Sequence, residues 1–492
     1  MGRALGILTA LVIGFGASVS TADDESRPNI LLILVDDLGK EWIGCYGAEG
    51  IETPHIDALA AGGMRFEHAY SMPQCTPSRL TLLTGQYPFR HGWVNHWDVP
   101  RFGCGAHFDP EQNASIARLL RDAGYATAVA GKWQIDDFRV EPMAMFEAGF
   151  DSWCMWTGGE GGNPGSDERY WNPYIAAGDA SGAAPSTTYR GAFGPEVFAS
   201  SLIDFMRSHR KRPMFLYFPM ALVHSPQVPT PSEPGAESAQ ERHAAMVRAT
   251  DAIVGRLVQA VDDLGLRERT IIILTTDNGT ARNISGRRLG REVRGAKAEL
   301  SEAGTAMPFI VNGPGLVPEG VVTEALTDFT DLFPTLAEFA GAEVPGDQVV
   351  DGRSIAPLIR GEADDSPRNW ILSLGRGPAV YRDGRVVPAQ PYIDRVIRDQ
   401  RFKLWIGRNR EPTALYDLQA DPGEERNLLN ANDDPEALAA RDRLLAIAAT
   451  FPEHDAAPRY RPNPPQPWDR PPSHRRPPGN DPIVIPPRSG EP

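Results

Sequence analysis

Cysteine is scarce in this chain of 492 residues: there are four, Cys45, Cys75, Cys104 and Cys154, and no Cys-x-x-Cys pair. That excludes a disulfide-built scaffold and a structural zinc ribbon. A membrane-spanning run is missing too. The apolar stretch Ala4 to Gly16 is 13 residues long, too short to cross a bilayer, so no membrane anchor is expected. Basic residues are in the minority, with Lys+Arg 49 against Asp+Glu 64 and a net charge of −15, which argues against nucleic acid as the main partner. There is no Gly-x-Gly-x-x-Gly, no complete phosphate-binding P-loop, no Gly-x-Ser-x-Gly and no internal repeat, so dinucleotide, nucleotide and serine-hydrolase chemistry have no motif to rest on.

What remains is a folded globular composition, 41% hydrophobic and 23% charged, long enough for two or three domains. Residues 1–22 have the form of a secretory leader: Arg3, the apolar run, then small residues ending Ser20-Thr21-Ala22. Export to a periplasm or beyond the cell is expected.

From residue 28 onward, short continuously apolar runs alternate with amphipathic stretches, the pattern of strands buried on both faces between helices. Asn29–Val35, Thr127–Ala130, Met214–Phe218 and Thr270–Leu274 are such strands. Pro110–Ala123, Gly194–Arg210 and Glu241–Leu264 are helix candidates. The fold class is α/β: a large mixed, mostly parallel sheet sandwiched by helices over residues 23–365. A turn-rich insertion at 151–193, with Trp153, Trp156 and Trp171, is expected to be a surface loop. Shorter β-like runs at Val396–Trp405 and Ala414–Leu418, then a helix at Pro435–Thr450, predict a smaller C-terminal α+β domain over 366–455. Residues 456–492 are proline-rich and expected to be extended.

Polar residues follow each buried strand. Asp36-Asp37 come after the first, Asp277-Asn278-Gly279 after Ile271–Leu274, Gly131-Lys132 after Thr127–Ala130, and His224 a few residues beyond Met214–Phe218. In open α/β sheets the carboxyl ends of the strands line the ligand crevice, so these groups can converge. A single aspartate after a strand is more often a turn former or helix cap. Two clusters of hard oxygen donors point instead to a cation, Ca²⁺ or, less well, Mg²⁺. Three unpaired carboxylates in one crevice would repel, and a cation would relieve that repulsion.

A second feature is Cys75-Thr76-Pro77-Ser78-Arg79 followed by Leu80 to Gly85. Pro77 fits the first turn of a helix that stops near Gly85, which puts Cys75 at its positive end. There it is either a nucleophile of lowered pKa or a small buried hydrophobe.

Cys75-x-Pro77-Ser78-Arg79 with Leu-Leu-Thr-Gly resembles the signature of the type I sulfatases of the alkaline-phosphatase-like superfamily. The resemblance extends through Pro28-Asn29-Ile30, Asp36-Asp37, Thr53-Pro54-His55, Gly131-Lys132-Trp133, His224-Ser225-Pro226, Asp277-Asn278-Gly279 and Asp421-Pro422-Gly423-Glu424. It implies that a separate maturation enzyme oxidises Cys75 to Cα-formylglycine, whose hydrate is the nucleophile. It further implies a calcium ion held by Asp36, Asp37, Asp277, Asn278 and the modified Cys75. Arg79 would hold the formylglycine, Lys132 and Lys297 would contact the sulfuryl oxygens, and His224 or Lys297 would protonate the leaving group. The implied substrate is a sulfated carbohydrate or another organic sulfate ester.

Two departures stand out. The family's Gly-Lys-Trp-His is Gly131-Lys132-Trp133-Gln134 here, and an amide cannot take a proton, so His91, His96 or Asp136 is expected to serve as second-step base. The family's Glu-Gly-Gly-x-Arg-x-Pro reads Glu302 to Pro308 with Ala306 in place of arginine, one cation fewer near the crevice. Conversely, Arg282, Arg287, Arg288, Arg291, Arg294 and Lys297 crowd one segment, which is either a steering surface for an anionic substrate or a solvated loop. Trp153, Trp156 and Trp171 are either sugar-stacking or packing residues. Two alternatives stay open: a phosphate or phosphonate ester hydrolase of the same superfamily, and a sulfated-glycan-binding relative without turnover.

Overall fold

The computed structural model describes residues 27–94, 106–157, 169–383, 385–430 and 434–462. The proposed leader, His96, Cys104 and the tail from 463 lie outside them.

Strand β1 (Asn29–Val35) is apolar at nearly every position and completely buried. Its odd residues Leu31, Ile33 and Val35 pack with one helical layer, and its even residues Ile30, Leu32 and Leu34 with the other. This alternation is why a run without polar positions is the right sequence for a strand covered on both faces. In chain order the elements that matter are β2 (Gly63–Tyr70), α1 (Cys75–Thr84), β3 (Ala126–Lys132), β4 (Ser152–Trp156), β5 (Tyr174–Asp179), α2 (Gly194–His209), β6 (Met214–Pro219), α3 (Ala239–Asp263), β7 (Thr270–Thr276), the hairpin β8 (Ser285–Arg288) and β9 (Arg291–Arg294), and β10 (Ala306–Asn312). The main sheet runs β2-β10-β7-β1-β6-β3-β4-β5, with short strands at each edge. Its centre, β7-β1-β6-β3-β4, is parallel, and β10, β2 and β5 pair antiparallel.

Register then places the site. Val35 is opposite Thr276 and Leu34 opposite Pro219, so Asp36, Asp277 and the chain leading to His224 leave the same edge together. Gly131 lets β3 close on β6: a Cβ there would lie 2.1 Å from the Pro219 carbonyl, and its φ of +126° suits glycine alone.

The second sheet, β11 (Ile371–Leu374), β12 (Arg395–Arg398), β13 (Phe402–Ile406) and β14 (Pro412–Asp417), is antiparallel in that order. Helix α4 (Pro435–Ala448) packs on it through Ala437, Ala440 and Leu444.

Three expectations need correction. The 151–193 segment is not simply a surface loop: β4 and β5 extend the main sheet, burying Trp153 and Trp156. The helix expected from Pro110 starts only at Ile116, because the Asp109 carboxylate accepts from Glu111 N–H and Gln112 and ties residues 109–113 into a turn. Val396–Trp405 is not one run but two strands joined by a turn that Asp399 caps. At the other end of the chain, Tyr460–Arg461 pairs with His107–Phe108, and Tyr460 is buried.

Candidate active site

Helix α1 is buried over all ten residues, which carries Cys75, its first residue, into the strand-end crevice. Gly85 ends it with φ +66°. Cys75 Sγ lies 3.6 Å from Asp36 Oδ1, 3.6 Å from Lys132 Nζ and 3.4 Å from Lys297 Nζ. One turn on, Arg79 donates through Nε and Nη2 to Asp277 Oδ2 at 3.1 and 2.8 Å, and through Nη1 to the Lys132 carbonyl at 2.6 Å. A planar guanidinium thus ties α1 to the ends of β7 and β3.

The other members interlock. Lys132 Nζ is 2.5 Å from Asp36 Oδ2, and Lys297 Nζ is 2.6 Å from Asp37 Oδ1. The Asp37 amide donates to Asp277 Oδ1 at 3.2 Å, and Asn278 Nδ2 to Asp37 Oδ1 at 2.7 Å. His224 Nε2 faces Asp37 Oδ2 at 3.7 Å. One ligating atom each from Asp36, Asp37, Cys75 and His224 falls within 4.8 Å of the others. The nine residues to which the resemblance assigns metal, nucleophile, sulfuryl or leaving-group roles therefore meet at one place.

The electrostatics revise one expectation and decide between the two readings of Cys75. The carboxylates are not unpaired: Arg79, Lys132 and Lys297 balance Asp36, Asp37 and Asp277 one for one. Burial nevertheless pushes Asp37 up to about 6, with Lys297 opposing it and Asp36 and Asp277 adding to it. Asp277 is raised by burial and by Asp36 against the pull of Arg79. Asp36, which burial alone would raise, is held well below the ordinary carboxylate range by Lys132. Nor is Cys75 an activated thiol. Burial and the Asp36 charge push it up to about 12, outweighing Lys132 and Lys297.

A hard cation fits this donor set. Asp36, Asp37, Asp277 and Asn278 supply only oxygen ligands, burial keeps two of the carboxylates reluctant to ionise, and Asn278 Oδ1 is buried without a hydrogen-bond partner.

Of the proposed second-step bases, His91 and Asp136 do not fit, and His96 lies outside the described residues. His91 is buried with both ring nitrogens engaged, at Thr81 Oγ1 and at the Trp93 amide. Asp136 accepts from the Trp133 indole and the Phe108 amide and groups with His107 and Glu141. Gln134 has φ +69° and a buried Oε1 without a partner. Ala306 is not at the crevice: it packs with Tyr70, Leu326 and Ile371. The Glu302 carboxylate there is met from the second sheet, by Lys403 Nζ at 3.0 Å and Arg398 Nη1 at 3.5 Å.

Arg169 had no signal in the sequence. Its buried guanidinium lies over the Trp156 ring at 4.9 Å and reaches His224 Nδ1 at 2.7 Å.

A mostly parallel sheet whose strand ends gather acids, lysines and a helix-borne cysteine defines a hydrolase of the alkaline-phosphatase-like class. The sulfatase family profile matches residues 28–342, and that of the N-sulphoglucosamine sulphohydrolase C-terminal region matches 297–446. The chain is 31% identical to steryl-sulfatase of Mus musculus over 89% of its length and 83% of that protein's. It is 33% identical to arylsulfatase A of Bos taurus, covering 93% of both. It is 29% identical to N-acetylgalactosamine-6-O-sulfatase of Bacteroides thetaiotaomicron, over 90% and 97%. The crystal structure of Ps i-CgsB superposes with a TM-score of 0.71 at 24% identity, over 88% of this chain and 94% of that one. The chain belongs to the sulfatase family, whose members are sulfuric ester hydrolases.

Proposed function

We propose that this protein hydrolyses sulfate monoesters of carbohydrates, using a formylglycine made from Cys75 and a divalent cation, preferably Ca²⁺. The observation that carries the reading is the position of Cys75 Sγ, a single buried atom flanked by Lys132 Nζ, Lys297 Nζ and Asp36 Oδ1. A raised thiol pKa makes the unmodified residue a poor nucleophile, and a hydrated aldehyde at position 75 offers oxygen in place of sulfur. The carbohydrate part draws on the N-acetylgalactosamine-6-O-sulfatase relative.

Asp36, Asp37, Asp277 and Asn278 would hold the cation together with the modified residue 75. Bound there, it would acidify a hydroxyl of that residue and neutralise sulfuryl oxygens. The chain's own groups do the rest. Arg79 fixes α1 and so the position of residue 75. Lys132 and Lys297 present ammonium groups to the sulfuryl oxygens. The carboxylates of Asp37 and Asp36 raise the Lys297 pKa against burial, so Lys297 rests protonated and would give that proton to the leaving oxygen. Burial, Lys297 and Lys132 hold His224 well below the usual imidazole range, so it rests neutral and would take a proton only as a weak base.

Residues 1–22 would direct export to the periplasm or medium, and conversion of Cys75 by a separate maturation enzyme would complete the site. No helix among the described residues is long and apolar enough to cross a membrane.

Mass analysis of the Cys75 peptide, coupled to sulfate release from glycan and aryl esters, tests the reading. Aldehyde at position 75 with sulfate release, both lost in Cys75→Ala, is expected. Turnover of phosphate esters alone, or glycan binding without release by fully converted protein, would replace it with one of the two alternatives.

A further inference from the structure

Trp153 and Trp156 are committed to packing, but another indole stands at a cavity. On β13 the side chains alternate: Phe402, Leu404 and Ile406 pack under α4, while Lys403 reaches the other way to Glu302, and Trp405 shares its face. Between that face and Ala298–Leu300 lies a cavity of about 670 Å³, with Asp394 and Arg408 also lining it. This is the size of a small-ligand cleft.

One wall of the cavity is continuous with the active site. Ala298 follows Lys297, whose Nζ is 3.4 Å from Cys75 Sγ, and the Ala298 amide donates at 2.8 Å to the carbonyl of Pro73, two residues before Cys75.

We propose that this cavity is a carbohydrate subsite, with Trp405 carrying the face of a pyranose ring and the Asp394–Arg408 pair holding its hydroxyls. It rests on the sulfate-ester reading above and names what lies beyond the ester oxygen. The indole is held in place: Nε1 donates to Glu424 Oε1 at 3.2 Å, Lys403 Nζ lies over the ring at 5.7 Å and the Tyr416 ring stands steeply to it, at 77° with centroids 6.4 Å apart. A ring already fixed loses little freedom when a sugar stacks on it. Its electron-rich face suits the C–H groups on the apolar side of a pyranose.

Arg408 is equally fixed. Its Nε donates to Asp394 Oδ1 at 3.0 Å and its Nη2 to the Arg376 carbonyl at 3.1 Å. A guanidinium donor beside a carboxylate acceptor matches neighbouring hydroxyls, each of which can accept one hydrogen bond and donate another. Gly375 leaves room for that carboxylate, since a Cβ there would sit 2.7 Å from Asp394 Oδ2.

The test compares 4-nitrophenyl sulfate, which has no sugar, with a panel of sulfated mono- and disaccharides from chondroitin, heparan and carrageenan. The best of these serves as the saccharide probe. Trp405→Ala is expected to raise KM for the saccharide more than it changes kcat, lowering the saccharide-to-aryl ratio of kcat/KM about tenfold, roughly 1.4 kcal/mol. Trp405→Tyr should recover most of that ratio, and Arg408→Ala should lower it independently. Arg443→Ala, whose side chain pairs with Asp399, serves as control and leaves it unchanged. An unaltered ratio in Trp405→Ala and Arg408→Ala proteins that melt like wild type overturns the subsite and leaves the sulfatase reading standing, as does turnover of the aryl ester alone. Release from neither class by protein with converted Cys75 removes both.

Discussion

Lys297 Nζ lies 3.4 Å from Cys75 Sγ, and the same ammonium is 2.6 Å from Asp37 Oδ1. It is both the neighbour of the nucleophile position and the counterion of a proposed metal ligand. Because buried acids raise its pKa despite desolvation, it remains a proton donor through neutral pH. Lys297→Ala should lower kcat/KM by about 10²–10⁴, the usual range for a positioned acid or base. Across aryl sulfates of graded leaving-group pKa, the loss should grow as the leaving group worsens. A uniform loss across the series would mean that Lys297 binds the sulfuryl group and does not serve the leaving oxygen.

Removing the cation should be visible without turnover. Ca²⁺ at about one hundred times its dissociation constant adds roughly 2.7 kcal/mol to a folded state that alone binds it. Wild-type protein should therefore melt higher with Ca²⁺ and lose the increment to a chelator. Asp37→Asn and Asp277→Asn should shift little with Ca²⁺, since each removes a charged oxygen ligand. Calorimetric melting with and without Ca²⁺ measures this. An undiminished shift in both variants would place the ion elsewhere.

The site was legible because strands buried on both faces announce themselves, and the residues after them share an edge whatever their separation in sequence. Asp36 and Asp277 are 241 positions apart yet leave paired strands opposite each other, as Val35 and Thr276 show. What sequence could not show is tertiary pairing that follows no periodicity. The arginine absent at Ala306 is visible as a gap, but that Arg398 and Lys403 hold the neighbouring Glu302 down to about 2 against burial depends on how the two sheets meet. Arg169 follows a glycine-rich stretch that reads as loop, so neither the flanking strand β4 nor its contact with His224 could be anticipated. The choice between the two readings of Cys75 stays open in the sequence for a related reason: a helix N-terminus is visible there, whereas complete burial beside a carboxylate is not.

The segment joining Asn278 to Lys297 is the hairpin β8–β9, with Arg287 and Glu292 paired across it and Arg291 and Arg294 exposed. In a chain of net charge −15 this gathers guanidinium groups on the segment between two site residues, with Arg287 paired to Glu49 at 3.3 Å. Arg287, Arg291 and Arg294 changed together to serine should lower kcat/KM for a polymeric sulfated glycan. The change should also flatten its fall between about 50 and 200 mM salt, because steering by exposed charge is screened over about 8–10 Å. The rate on 4-nitrophenyl sulfate serves as reference. Identical salt profiles would assign these arginines to solvation alone.

Acid stability should depend on His243. It is wholly buried on α3 against Trp42 at 4.5 Å, with neither ring nitrogen hydrogen-bonded among the described residues. Burial holds it down to about 3. Its folded pKa lies below its unfolded value, so between pH 6.5 and 3 the unfolded chain binds the extra proton and stability falls as pH falls. The slope is about 1.4 kcal/mol per pH unit for this one group. Denaturant unfolding of His243→Phe at pH 7.5 and 4.5 should show about 2–3 kcal/mol less acid loss than wild type. Equal losses would mean that His243 takes a proton while folded.

Gln134 is the departure whose consequence turns most directly on geometry. With both nitrogens of His91 engaged and Asp136 accepting two hydrogen bonds elsewhere, His224 is the imidazole among the described residues that shares a cluster with Cys75. If it alone removes the proton that frees sulfate from residue 75, that second step is slow for good leaving groups, and 4-nitrophenol should appear in a pre-steady-state burst. Gln134→His supplies a second base at a position with φ +69°, a left-handed conformation that histidine adopts more readily than most residues. The variant should raise kcat severalfold on 4-nitrophenyl sulfate and shrink the burst, with little change on substrates whose ester cleavage is limiting. An unchanged kcat and burst would show that His224 suffices and that the amide at 134 only orients the diol.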